Sequence, residues 1–499
     1  MVAGDGQGKN IDDLPDEIIL NVFSFFSFNE LIDTAQNVCV RWKRLAHDPV
    51  LWRDKEYIIR GRAQNGRSCC GVTCSECAHC RCEKTDREVL RTAGSMPQLR
   101  TLTMMRGTRA RILRKICRNC PNLTTLQLHG CQKMNYSLLK YIFEKCPKIE
   151  KLIIANNLLA DRRYAELVSR LEHLQSLEVF ENRRGAGPVL LRFLADACPK
   201  LREINLSWDY HPLEDVEYFV KAKRDTLTSA TVRWTMAGKR CVVTVLKEAA
   251  SSLEKLQLHL FDVAPEEEAA TFADLGELHN LRELHCNQLC PHRPRLISLA
   301  FQPGRLPLLQ RLHLPHATGL PDDAVATICR GCPALRELRL IFATSLTDGA
   351  LAEIHRLKHL QILDLSGCSG LGGCAMAHVA QLPALRTLLL QYIDDLTELQ
   401  PSLRHVLDLE QLRCLNILNS GHIRAVPFEE FAVRLVNLRE LHVTYEEEDE
   451  VFYKNVFAEM QSQMPRLRII NTFRWTEDDF LTDYETDDDG DDGDDDIGY

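Results

Sequence analysis

No apolar run in the 499 residues approaches the roughly 20 needed to span a bilayer, so no helical membrane span is expected. The first ten residues are polar and glycine-rich and lack the apolar centre of a secretory signal. A cytoplasmic or nuclear location is therefore expected. Glycine-rich phosphate loops are missing, as are Lys/Arg runs interleaved with aromatics, which argues against a nucleic-acid partner. His129, His259, His285, His313 and His442 fall at similar places in the pattern, but no serine, cysteine or carboxylate recurs with them in a nucleophile context. The aspartates of 487–489 and 491–496 lack the spacing of a calcium loop. Aromatics make up only 7% of the chain, so aliphatic side chains must build the core. These absences point away from an enzyme.

What is present is one beat, Leu-x-x-Leu-x-Leu, often led by a proline. Clear copies are Pro121-Leu123-Leu126-Leu128, Pro147-Ile149-Leu152-Ile154, Pro199-Leu201-Ile204-Leu206 and Pro333-Leu335-Leu338-Leu340. Its first leucine recurs at 99, 123, 149, 174, 201, 227, 253, 281, 309, 335, 360, 385, 412, 438 and 467, with gaps of 24 to 29 residues. Such a fixed period is the signature of a leucine-rich-repeat solenoid. The fourth and sixth places alternate and so share one side of a short strand. A helical stretch such as Asp322–Cys332 follows, with Ala324, Ile328 and Cys332 on one face. One unit cannot bury these faces, but stacked units share a core. The expected fold is an α/β solenoid, a curved horseshoe with a strand-lined inner surface suited to binding.

Of the twenty cysteines, twelve fall into two groups. Cys120, Cys146, Cys198 and Cys332 each precede the proline of a repeat, and Cys131 and Cys368 share a slot just beyond the strand. Recurring slots mark the thiol as a small buried group, and the pattern resembles the cysteine-containing subclass of these repeats. By contrast, residues 61–86 have no leucine pattern and crowd Cys69, Cys70, Cys74, Cys77, His79, Cys80 and Cys82 together. Cys74, Cys77, Cys80 and Cys82 supply ligands enough for zinc, yet lack the spacer that separates ligand pairs in zinc modules. The run reads as a mobile loop of free thiols, with zinc there as the alternative; no other cofactor is expected.

Residues 11–56 break from the beat. Pro15 opens a helix whose Leu14, Ile18, Val22 and Phe26 form an i, i+4 row, widened by Ile19 and Phe23. A second helix is expected over Asn29–Asn37, and a third holds Cys39, Val40, Trp42 and Leu45 before Leu51-Trp52. Some 45 residues are too few to bury this much apolar surface alone, so something must cover the rest. Leu14-Pro15-Asp16-Glu17-Ile18, Val22-Phe23, Val38-Cys39, Arg41-Trp42-Lys43-Arg44-Leu45 and Leu51-Trp52 together resemble an F-box. The whole then resembles an F-box/leucine-rich-repeat protein with a small three-helix F-box ahead of the solenoid. That resemblance implies a substrate receptor of SCF-type ubiquitin ligases. Leu14, Pro15, Ile18, Val22, Phe23, Trp42, Leu45 and Trp52 would include contacts to the Skp-type adaptor, itself joined to cullin and RING subunits.

The expected organisation is a disordered 1–10, the F-box over 11–56, a degenerate first repeat with the cysteine-rich insertion over 57–96, and about fifteen repeats over 97–476. Residues 477–499 carry 13 acids and no base and should be a disordered tail; without them the net charge of −9 becomes +4. Places expected on the inner strand surface include Phe180, Trp208, Arg233, Trp234, His259, His285, His313 and His316. Aromatics and arginine on such a face suit recognition of a protein target. The rival readings are a scaffold or binding protein outside any ligase, and a receptor whose cysteine loop senses metal or redox state.

Overall fold

In the computed structural model the described residues are 11–471, apart from 12–13, 28–29, 53–54, 60–97, 105–109, 130–133, 156–158, 160, 181–188, 208–210, 236–241, 262–264, 288–293, 394–395, 397–398, 422 and 446–448. Two compact units divide the chain, Met1–Leu281 and Arg282–Tyr499. The cysteine-rich run, Cys131, Trp208 and the acidic tail lie outside the described residues.

The first unit begins with three helices, α1 (Asp16–Ser24), α2 (Val40–Ala46) and α3 (Pro49–Trp52). Asp16 and Glu17 sit in the first turn of α1, where the helix dipole favours acids. Lys55 closes its other end by donating from Nζ to the Ser24 carbonyl (2.9 Å) and to that of Phe26. Cys39 caps α2 by accepting from the Trp42 amide. Phe23 and Trp42 meet edge-to-face at 5.0 Å, and the Trp52 indole donates to the Ala46 carbonyl at 3.0 Å. Between α1 and α2, where a regular helix was expected, Glu30–Thr34 winds as a wide π turn and Ala35–Asn37 as a tight 3₁₀ turn. A capping box starts it: the Ser27 amide donates to Glu30 Oε2 (2.6 Å) and the Glu30 amide to Ser27 Oγ (3.3 Å).

The rest of this unit is a run of parallel strands in chain order. They are β1 (Glu56–Ile59), β2 (Thr101–Met104), β3 (Thr125–Leu128), β4 (Lys151–Ala155), β5 (Ser176–Phe180), β6 (Glu203–Ser207), β7 (Ser229–Thr235) and β8 (Lys255–Phe261). The second unit repeats the arrangement with β9 (Glu283–Asn287), β10 (Arg311–His313), β11 (Glu337–Arg339), β12 (Ile362–Asp364), β13 (Thr387–Leu389), β14 (Cys414–Ile417), β15 (Glu440–Val443) and β16 (Arg468–Asn471). Each recurring leucine lies one or two positions before a strand, and helices or 3₁₀ turns carry the chain to the next. This is the expected leucine-rich-repeat solenoid. The stretch Asp322–Gly331 is helical, with Ala324, Ile328 and the following Cys332 fully buried.

The period becomes structure because side chains alternate along each strand. In β10, Leu312 is buried while Arg311 and His313 face outward, and its Cα partners Leu284 and Leu338 are buried beside it. The leading leucines 99, 123, 309, 335 and 360 have no exposed surface. Truncating any one of them to alanine would cost about 2–5 kcal/mol. The recurring cysteines are buried as expected, Cys120, Cys146, Cys198 and Cys332 fully so. Cys368 does more than fill space, because its thiol donates to the Leu340 carbonyl at 3.0 Å, tying one repeat to its predecessor. Ser420 occupies the matching slot and donates to the Leu390 carbonyl at 2.8 Å.

Candidate functional site

Helix α1 is apolar on two sides. Ile19 and Phe23 point inward and are buried, while Leu14, Ile18 and Val22 line the outer side at 38%, 47% and 43% exposure. Phe25 and Val40 stand almost wholly in solvent. So much exposed apolar surface on so small a helical segment makes it a candidate interaction face. Its charge frame is fixed: Arg41 Nε donates to Asp16 Oδ1 at 2.8 Å, Arg41 also donates to the Leu14 carbonyl at 2.6 Å, and Arg44 pairs with Asp16. The sequence-derived candidates therefore divide. Leu14, Pro15, Ile18 and Val22 are exposed; Phe23, Leu45 and Trp52 are buried and join the helices; Trp42 is half-buried between them. The Trp42 indole nitrogen is covered and has no hydrogen-bond partner among the described residues.

The second candidate surface is the outward side of the strands. In the first unit, Arg233 on β7 and His259 on β8 are Cα partners, both half-buried, and His259 lies 3.0 Å from Gln257. Phe180 and Trp234 are strand residues whose side chains are not described. In the second unit, His285 and His313 are Cα partners, with ring centroids 4.2 Å apart and a shared hydrogen bond. The chain of contacts continues from His313 Nε2 to Glu337 Oε1 (2.9 Å), from Glu337 to Arg339 Nε (2.6 Å), and from Arg339 to Asp364 (3.5 Å). Burial lowers the His313 pKa below the ordinary histidine value, holding the ring neutral near pH 7. Burial also works to raise the Glu337 carboxyl, but the Arg339 hydrogen bond and charge outweigh it, with a net downward shift.

Beside this row runs a feature that leucine spacing does not reveal. His316, Phe342, Tyr392 and Asn419 adopt left-handed backbone at φ 54–55°, each two residues past the last strand leucine or its equivalent, with Gly367 in the slot between Phe342 and Tyr392. His316 stacks on Phe342 at 5.7 Å, and Phe342 reaches Tyr392 at 6.0 Å across Gly367. A Cβ at Gly367 would come within 2.2 Å of the Phe342 ring, so glycine is what lets the rings close. Aligning 316, 342, 367, 392 and 419 as one slot is the signal that could have found it. A third grouping also escapes single-position reading: Cys414 and Glu440 stand beside His442.

The fold and the N-terminal surface together define an F-box-like segment carried on leucine-rich repeats. Residues 11–55 match the F-box-like family model. Over 240 residues the chain is 23% identical to an Arabidopsis thaliana protein named as an F-box/LRR-repeat protein, covering 40% of this chain and 73% of that one. Another A. thaliana protein, named as an F-box protein, is 25% identical over 230 residues, covering 38% and 69%. Among solved structures, the yeast Rad7 and Elc1 complex gives a TM-score of 0.46 at 16% identity, covering 68% of this chain and 80% of that one. No helix among the described residues is long and apolar enough to cross a membrane.

Proposed function

We propose that this chain is the substrate-recognition subunit of an SCF-type ubiquitin ligase in the cytoplasm or nucleus. The observation that carries the reading is the solvent-facing row made by Leu14, just ahead of α1, with Ile18 and Val22 on α1, within the segment that matches the F-box-like model. A Skp-type adaptor would cover that row and connect it to cullin and RING subunits. The repeats would hold a target protein on their outward strand faces, where Arg233 with His259, and separately His285 through Asp364, supply polar contacts and His316, Phe342 and Tyr392 supply flat aromatic ones. The chain itself would make no bonds. It would raise the local concentration of target lysines at a conjugating enzyme held by the other subunits. Affinity capture after blocking the proteasome, from the full chain and from a version lacking residues 11–56, tests this. Adaptor and cullin should accompany only the full chain, while targets should accompany both. Absence of adaptor from the full-chain capture would refute the proposal.

A further inference from the structure

The strands β14 and β15 pair in parallel with Cys414 opposite Glu440 and Asn416 opposite His442. On both strands the intervening residues Leu415, Ile417, Leu441 and Val443 are buried, so Cys414, Glu440 and His442 share the outward side. There the thiol, a carboxylate oxygen and an imidazole nitrogen all lie within 4.8 Å of one another. His442 Nε2 is 3.7 Å from Glu440 Oε2, and Arg468 on β16 approaches Glu440 no closer than 3.8 Å. Both separations exceed a hydrogen bond, so the carboxylate is not locked into a tight ion pair. All three groups are half-buried and mounted on hydrogen-bonded strands, not on loops.

We propose that Cys414, Glu440 and His442 form a three-ligand zinc site on the second unit, with the fourth position open to solvent. Zinc bonds of about 2.0–2.3 Å in tetrahedral array place neighbouring ligand atoms about 3.3–3.7 Å apart. The His442–Glu440 separation of 3.7 Å lies at the top of that range, and the thiol, within 4.8 Å of both, needs a shift of at most about 1 Å, within reach of a side-chain adjustment. One thiolate, one imidazole and one carboxylate form the mixed donor set that suits zinc, whereas calcium and magnesium take oxygen ligands. The Arg468 side chain is 73% exposed and free to swing toward water as the cation enters.

In the metal-free site the Cys414 thiol keeps its proton, pushed up to about 11 by burial and by the neighbouring Glu440 charge. Metal binding forms a zinc–sulfur bond and releases that proton to solvent. Because Cys414 belongs to one repeat and the other two ligands to the next, the bound ion cross-links adjacent repeats. It binds only the folded arrangement, so it should raise the melting temperature of this unit.

The test uses the full chain with Cys69, Cys70, Cys74, Cys77, Cys80 and Cys82 changed to serine, so that the cysteine-rich run cannot contribute. After chelator treatment it is titrated with Co²⁺ as a spectroscopic probe and then with Zn²⁺. One equivalent of Co²⁺ should give a thiolate-to-cobalt charge-transfer band, and Zn²⁺ should displace it and raise the melting temperature. Cys414→Ser should abolish the band, and His442→Ala should weaken binding by about a hundredfold or more. Both variants should melt like the parent without metal, which separates ligand loss from misfolding. Absence of binding in the parent, or a thiolate band that survives Cys414→Ser, would overturn the proposal.

Discussion

Changing Leu14, Ile18 and Val22 together to alanine isolates adaptor docking from folding. Burying an aliphatic side chain fully is worth about 1.5–3 kcal/mol, and these three retain 38%, 47% and 43% of their surface for a partner to cover. Complete coverage would contribute about 0.6–1.4 kcal/mol from each, or about 2–4 kcal/mol together. That corresponds to a loss of about 30- to 1,000-fold in adaptor affinity. The helix itself should survive, since alanine is its best former and none of the three sits in the core. Phe23→Ala, one position from Val22, is the contrast: Phe23 has no exposed surface and packs on Trp42, so its loss should cost about 3–5 kcal/mol and melt the segment. Calorimetric titration with purified Skp-type adaptor, beside thermal melts of each variant, reads both effects. A folded triple variant that binds with parental affinity would refute the argument.

Burial pushes the Cys329, Cys332 and Cys368 thiols up to about 12 from a usual 9.0. Their contribution is intact below pH 9 and is lost as pH climbs from 9 toward 12, because only the unfolded chain ionises there. Together they should remove about 4 kcal/mol from the second unit by pH 10, and an unchanged urea midpoint between pH 8 and pH 10 would contradict this. In the cysteine-rich run, serine at Cys74, Cys77, Cys80 and Cys82 should leave stability and target capture unaltered if the run is a loop of free thiols; stoichiometric zinc lost specifically with these serines would establish a metal module instead. The tail's 13 acids face a remainder of +4, screened beyond about 8 Å at physiological salt. Deleting 477–499 should slow association with a basic target, less so as salt rises, and leave melting unchanged; a large fall in melting temperature would show that the tail packs on the fold.

The strands were legible because each leading leucine lies at nearly constant spacing, and Leu312 or Leu338 can be buried only if that spacing becomes register. What the leucines do not encode is contact between neighbours. Cys414 and His442 are 28 residues apart and meet only because β14 and β15 pair as they do. Phe342 and Tyr392 sit in a backbone conformation that ordinarily favours glycine or asparagine, so residue type concealed the slot they share with Gly367. On α1 both Ile18 and Ile19 belong to apolar rows, and periodicity alone does not say which row meets the core. The Ser27–Glu30 capping box was a readable signal for the turn that begins at Glu30.

The pairing, within each unit, of strands with their nearest predecessors in sequence has a bearing on how the protein is made. Within each unit a strand needs only a partner some 25 residues earlier: the Thr125 amide finds the Arg100 carbonyl, and the Arg311 amide that of Arg282. A nascent chain can thus dock each repeat as it clears the ribosome, without waiting for a distant segment. A premature stop between repeats leaves an ordered stub ending in one uncapped edge, whereas the loss of a single internal strand parts the repeats before it from those after it.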